Sequence, residues 1–121
     1  MQATEATSTV LFAAGALVTA VGAGLLLCPS TTLRGLQEKR RFVPAGLTLA
    51  RICGVYVVFT GATACYCAHN EIAVRSAAVA LALANAAELG VKVLYQPPSL
   101  QWAAHVAMVA SLAGALIFDA R

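Results

Sequence analysis

Four long apolar segments constrain the fold of this 121-residue chain more than any other feature of its sequence. They cover residues 10–28, about 45–68, about 72–94 and 100–118. A helix crosses the roughly 30 Å hydrocarbon core of a bilayer with about 20 residues, so each segment has the length of one crossing. None of the segments alternates between apolar and polar residues, which favours helices over the strands of a membrane barrel.

The composition points in the same direction. Hydrophobic residues make up 60% of the chain and charged residues only 11%, whereas soluble domains have about 25% charged residues. A soluble fold of this size would leave large apolar patches in water. The composition therefore indicates an integral membrane protein, and it excludes a soluble enzyme, a nucleic-acid-binding protein and a disordered tail.

We predict one all-α domain over residues 1–121, an antiparallel four-helix bundle. Proline and polar residues separate its helices, which are predicted at about 8–28, 44–68, 71–95 and 99–119. Pro29 ends the first helix, and Pro44 begins the second. Ser99 is a candidate N-cap for the fourth helix. The connections are short, so neighbouring helices are expected to pack antiparallel. The first nine residues hold one acidic and no basic residue, so we expect no targeting signal there.

The distribution of basic residues predicts an orientation. We call the side that holds both termini and the turn at 69–71 the terminal side, and the opposite side the loop side. Most basic residues fall on the loop side: Arg34, Lys39, Arg40, Arg41 and Lys92. The positive-inside rule then places the loop side in the cytoplasm, matrix or stroma, with both termini opposite. We favour an organellar inner membrane over a bacterial plasma membrane. The basic cluster either sets this topology or binds anionic lipid.

Small residues recur at four-residue spacing on each predicted helix, where they allow close helix–helix contact in lipid. The rows are Ala16, Ala20 and Gly24; Gly46, Ala50 and Gly54; Ala78, Ala82, Ala86 and Gly90; and Ala103, Ala107, Ser111 and Ala115. The candidate packing glycines are Gly24, Gly54, Gly61 and Gly90. These rows serve packing within the bundle, or one of them docks onto a partner protein.

Ionisable residues within the apolar segments are the strongest functional pointers, because burying charge in a membrane is costly. Arg51, Glu88 and His105 each lie roughly 9–10 Å below the loop side at 1.5 Å per residue. Asn85 and Lys92 lie one turn from Glu88 on the same helix face. We expect an Arg51–Glu88 salt bridge, with Lys92 extending toward the loop side. These five residues form a predicted polar layer. The layer fixes helix register, or it lines a site for a lipid or quinone headgroup or a proton path, or it contacts a partner.

The remaining chemistry-bearing residues indicate neither a cofactor nor a metal. Cys28, Cys53, Cys65 and Cys67 do not form a C-x-x-C motif or a disulfide framework, and we interpret them as small apolar fillers. Only one histidine lies within a predicted helix, which excludes bis-histidine haem ligation within the chain. No set of residues points to catalysis or to nucleic-acid recognition.

Two stretches carry a family resemblance. Gly22–Pro29, followed by Leu49–Gly54 and Gly61, resembles the small four-helix membrane proteins related to DoxX. Those proteins have a glycine-rich first helix that ends in proline, and an Arg-x-x-Gly sequence early in the second helix. The resemblance covers about half of the chain. It implies a four-helix bundle that is sometimes linked to respiratory or redox complexes, and it implies no shared set of catalytic residues.

Three classes of function remain open. We expect an accessory subunit of a larger respiratory, ATP-synthase or photosynthetic membrane complex, such as one of the mitochondrial inner membrane. Its partners are membrane lipids and other integral membrane subunits. The alternatives are a DoxX-like redox-associated membrane protein and a small transporter, both using the Arg51–Glu88–His105 layer. A polar path through the whole membrane would support a transporter, but the ionisable residues occupy only one third of its depth.

Overall fold

The computed structural model describes residues 3–35, 44–95 and 98–121. These residues form five helices: α1 (Glu5–Leu27), α2 (Pro29–Gly35), α3 (Pro44–His69), α4 (Val74–Tyr95) and α5 (Leu100–Asp119). The four longer helices, α1, α3, α4 and α5, are long and apolar enough to cross a membrane. Their bounds differ from the predicted ones by at most three residues.

The short helix α2 was not predicted, because Pro29 was interpreted only as the end of the first helix. Cys28 leaves the helical conformation with φ −135° and ψ 64°, and Pro29 then occupies the first position of α2. Proline is favoured at that position because its missing N–H would have no partner within the helix. Gly24 packs against this helix, since a Cβ atom on it would lie 2.5 Å from the Thr32 hydroxyl. The predicted basic residues Lys39, Arg40 and Arg41 lie outside the described residues.

The contact between α1 and α3 is built on glycines seven residues apart. A Cβ atom on Gly15 would lie 2.9 Å from the carbonyl oxygen of Gly61, and one on Gly54 would lie 2.8 Å from that of Gly22. Moving seven residues forward on α1 therefore corresponds to moving seven residues back on α3, which makes the two helices antiparallel. One further step of seven reaches Ser8, whose hydroxyl donates to the Ala68 carbonyl oxygen at 3.3 Å.

This contact does not follow the four-residue row predicted for the first helix, because Ala16 and Ala20 are exposed. A step of seven residues rotates the position on a straight helix by only about 20°, so a seven-residue row stays on one face. The predicted packing glycines Gly54 and Gly61 do lie in the contact. Gly90 is exposed, and a Cβ atom on it would meet nothing within 4 Å.

The buried apolar core lies in the terminal half of the molecule. α3 packs mainly on α1, and α4 packs mainly on α5. The two pairs share a core near the terminal side, formed by Leu11, Ala14, Ala64, Ala68, Val74, Ala78, Leu81 and Leu112. In the loop-side half of α4 and α5, Asn85 is the one described residue that is buried. The two helix pairs therefore meet firmly at one end and bury little of each other at the other end.

A carboxylate joins the two ends of the described chain. Asp119, the last residue of α5, accepts hydrogen bonds from the backbone N–H of Thr7 at 2.7 Å and from its hydroxyl at 2.6 Å. It also accepts one from the N–H of Ala6 at 3.3 Å. The first N–H groups of a helix have no partner within it and favour a negative charge. Asp119 thus caps α1 and fastens α5 to it.

Candidate polar site on α4 and α5

A polar cluster connects α4 and α5. Asn85, Glu88 and Lys92 share one face of α4 through spacings of three and four residues. His105 of α5 lies between them, with Nδ1 2.7 Å from Asn85 Oδ1 and Nε2 2.7 Å from Lys92 Nζ. Glu88 Oε2 lies 3.3 Å from His105 Nε2 and 3.9 Å from Lys92 Nζ. Four of the five residues of the predicted polar layer are therefore brought together.

The hydrogen bonds of Asn85 define the tautomer of the imidazole. The side-chain amide nitrogen of Asn85 donates to the Leu81 carbonyl oxygen at 2.9 Å, so its Oδ1 faces His105. An amide oxygen only accepts hydrogen bonds, and His105 Nδ1 must therefore carry a hydrogen. The other nitrogen, Nε2, then accepts a hydrogen bond from the Lys92 ammonium. The cluster holds one orientation and one tautomer of a neutral histidine.

The members of the cluster differ in their exposure. The side chains of His105 and Lys92 are 15% and 19% exposed, whereas that of Glu88 is 60% exposed. Both contacts of Glu88 use Oε2. A hollow of about 340 Å³ lies beside this carboxylate and is lined by Ala87, Glu88, Val91 and Lys92. The carboxylate is therefore accessible from outside the cluster.

Arg51, the fifth residue of the predicted layer, does not join the cluster. It is exposed on α3, and the charged or polar groups that Glu88 contacts within the described residues are Lys92 and His105. The predicted Arg51–Glu88 salt bridge is thus not formed within the chain. The physical reason is that the glycine contact brings α3 against α1 rather than against α4. Lys92, which was expected to extend toward the loop side, instead directs its ammonium to His105.

The cysteines and Arg34 have other surroundings. All four cysteines are free, and the Cys65 thiol donates to the Phe12 carbonyl oxygen at 3.5 Å, beside the glycine contact. Arg34 is exposed near the end of α2. Within the described ranges, no group of three or more His, Cys, Asp and Glu side chains could hold a metal ion.

Sequence reasoning missed the Asp119–Thr7 contact. The sequence offers one signal for it. Both termini are predicted on the terminal side, where the Thr7 hydroxyl and the Asp119 carboxylate flank the first and last apolar segments. Both residues lie outside the deep part of the apolar segments, where ionisable groups are the stronger functional pointers. The contact holds the helix ends together and does not extend the polar cluster.

In the part of the chain that the structure describes, the fold and the cluster define a class of protein: an all-helical protein with four potential membrane spans and a polar site shared by two of them. No family model matches this chain, and neither the curated proteins nor the solved structures include a significant match. The resemblance to DoxX-related proteins therefore stays a prediction from the sequence.

Proposed function

We propose that this chain crosses a membrane four times and serves as an accessory subunit of a larger membrane complex. The first support is the small share of each long helix that the chain itself covers. Between 11% and 28% of the most apolar window of each helix is buried inside the protein. The remaining apolar surface needs lipid or other membrane proteins as its surroundings.

The observation that carries the accessory role is the outer face of α5. Between Ala103 and Gly114 its exposed residues are small apart from Val106: Ala103, Ala104, Ala107, Ala110, Ser111 and Gly114. The exposed face of α3 is bulky instead: Leu49, Ile52, Val55, Tyr56, Phe59 and Tyr66. Small residues allow another helix to approach closely, and membrane helix contacts are enriched in them. We therefore assign the small-residue face of α5 to a transmembrane helix of another subunit, and the bulky side chains of α3 to lipid.

Purification of the native protein in mild detergent tests this role. We expect the wild-type chain to migrate with a large complex, and Ala107→Leu to release it, because a larger side chain keeps the partner helix away. Ala62→Leu is the matched control, since it adds the same volume to the exposed face of α3. A wild-type chain that migrates alone, or an Ala107→Leu chain that stays in the complex, would contradict the proposal.

The polar cluster favours a second candidate function, a proton path or a small-molecule site within the membrane. Its support is the connected series from Asn85 through His105 to Lys92, in which the histidine bridges two helices. Proton flux into vesicles that contain the purified chain tests this role. Flux that is present in the wild type and absent in His105→Phe, with equal helix content, would favour it over the accessory role.

A further inference from the structure

Two oppositely charged residues face outward at the same depth on different helices. Arg51 lies as many residues from Pro44, the first residue of α3, as Glu88 lies from Tyr95, the last residue of α4. At 1.5 Å per residue, both lie about 10 Å from the loop-side ends of their helices. Arg51 is exposed, and it makes no hydrogen bond or ion pair with any described residue.

Neither residue uses all of its polar side-chain atoms on described residues of the same copy. Both contacts of Glu88 use Oε2, so Oε1 has no partner among the described residues. Charged side chains within a membrane usually pair with an opposite charge. The packing of α3 on α1 and of α4 on α5 keeps Arg51 away from Glu88 of the same copy.

We propose that the protein self-associates in the membrane through an ion pair between Arg51 of one copy and Glu88 of a second copy. Copies inserted in the same orientation hold these residues at equal depth, so a guanidinium on one surface meets a carboxylate on the next. Such contacts close into a symmetric dimer or ring. This self-association rests on the proposed four membrane crossings, and it does not involve the docking face on α5.

The surroundings of Glu88 suit a second copy. The hollow of about 340 Å³ beside its carboxylate gives an arginine side chain room to enter. The Lys92 ammonium is held by His105 at 2.7 Å, and Oε1 remains as an acceptor for the incoming guanidinium. Charge-assisted pairs of arginine and carboxylate are among the strongest hydrogen bonds in proteins.

Charge reversal tests this pairing. Full-length chains carrying donor or acceptor fluorophores are reconstituted in lipid vesicles, and energy transfer is measured as the protein-to-lipid ratio is varied. We expect Arg51→Glu and Glu88→Arg, each alone, to weaken self-association about threefold to thirtyfold, because interhelical polar contacts in membranes contribute over that range. A mixture of the two variants should associate again, since each supplies the charge that the other lacks.

Controls separate this pairing from other effects. Glu71→Arg reverses an exposed charge in the turn between α3 and α4 and should leave association unchanged. Restored association in the mixture also shows that both variants fold; Arg51→Gln and Glu88→Gln provide milder tests if the reversed chains do not insert. Monomeric wild-type chains, or single variants that associate like the wild type, would overturn the proposal. The second result is expected if Arg51 binds lipid phosphate instead.

Discussion

At the scale of single residues, the His105 ring is held through both of its nitrogens. It touches Asn85 through one nitrogen and Lys92 through the other. The direction of the Asn85 amide is set in turn by its bond to the Leu81 carbonyl oxygen. A side chain that is not itself ionisable therefore determines which imidazole nitrogen carries the hydrogen.

Replacement of Asn85 should change this tautomer. In the wild type we expect nitrogen-15 resonances of a neutral imidazole protonated at Nδ1. In Asn85→Ala the acceptor for Nδ1–H is lost, so the ring is free to protonate Nε2 and donate to Glu88. The measurement is solid-state magnetic resonance of labelled histidine in lipid. A signal from His105 that is identical in both chains would show that Asn85 does not select the tautomer.

Asp119 offers a second prediction at this scale. Asp119→Ala removes three acceptor contacts from the first turn of α1, and we expect it to lower the resistance of the protein to unfolding in detergent. Asp119→Asn retains an acceptor oxygen but loses the charge that favours a helix N-terminus, so its effect should be smaller. Denaturation of the three chains followed by circular dichroism gives the order. An Asp119→Ala chain as stable as the wild type would show that the contact adds nothing.

At the scale of elements, the contact between α1 and α3 depends on the absence of side chains. A Cβ atom on Gly61 would lie 2.5 Å from the backbone nitrogen of Thr19, a distance at which the helices must separate. Gly90 has open space around it. The two glycines therefore allow one substitution to be compared in a close contact and in an empty position.

Gly61→Ala should destabilise the protein by about 1–3 kcal/mol, the usual cost of forcing additional atoms into a packed contact. Gly90→Ala should be neutral or stabilising by up to about 1 kcal/mol, because alanine is a better helix former than glycine. The free energy of unfolding in mixed detergent micelles checks both values. Equal effects of the two substitutions would mean that the α1–α3 contact does not need glycine.

These elements show how far the sequence predicts the structure. Lengths of apolar runs and the prolines that flank them are local signals, and they predicted the four long helices closely. The choice of neighbours is not local, because it depends on which small residues face each other after folding. The four-residue rows did not reveal the contact at Gly15 and Gly61. For the same reason, equal depth below the loop side predicted that Glu88 and His105 lie in one layer. It also paired Glu88 with Arg51 of the same copy, and that pairing is wrong.

At the scale of the whole molecule, the two helix pairs are joined at one end. The shared core and the Asp119 contact lie near the terminal side, whereas the loop-side halves of α4 and α5 bury only Asn85 among the described residues. Regions with few buried apolar contacts open at low free-energy cost. The distance between the pairs should therefore vary more at the loop side than at the terminal side.

Distances between spin labels would reveal this asymmetry. Labels at Tyr66 and Ile117 report on the terminal side, and labels at Ile52 and Ala104 report on the loop side; all four residues are exposed. In chains whose own cysteines are replaced, we expect a narrow distance distribution for the first pair and a broader one for the second. Dilution with unlabelled protein removes distances between copies. Two equally narrow distributions would mean that the pairs are held rigidly along their length, and that contacts beyond the shared core hold the loop side together.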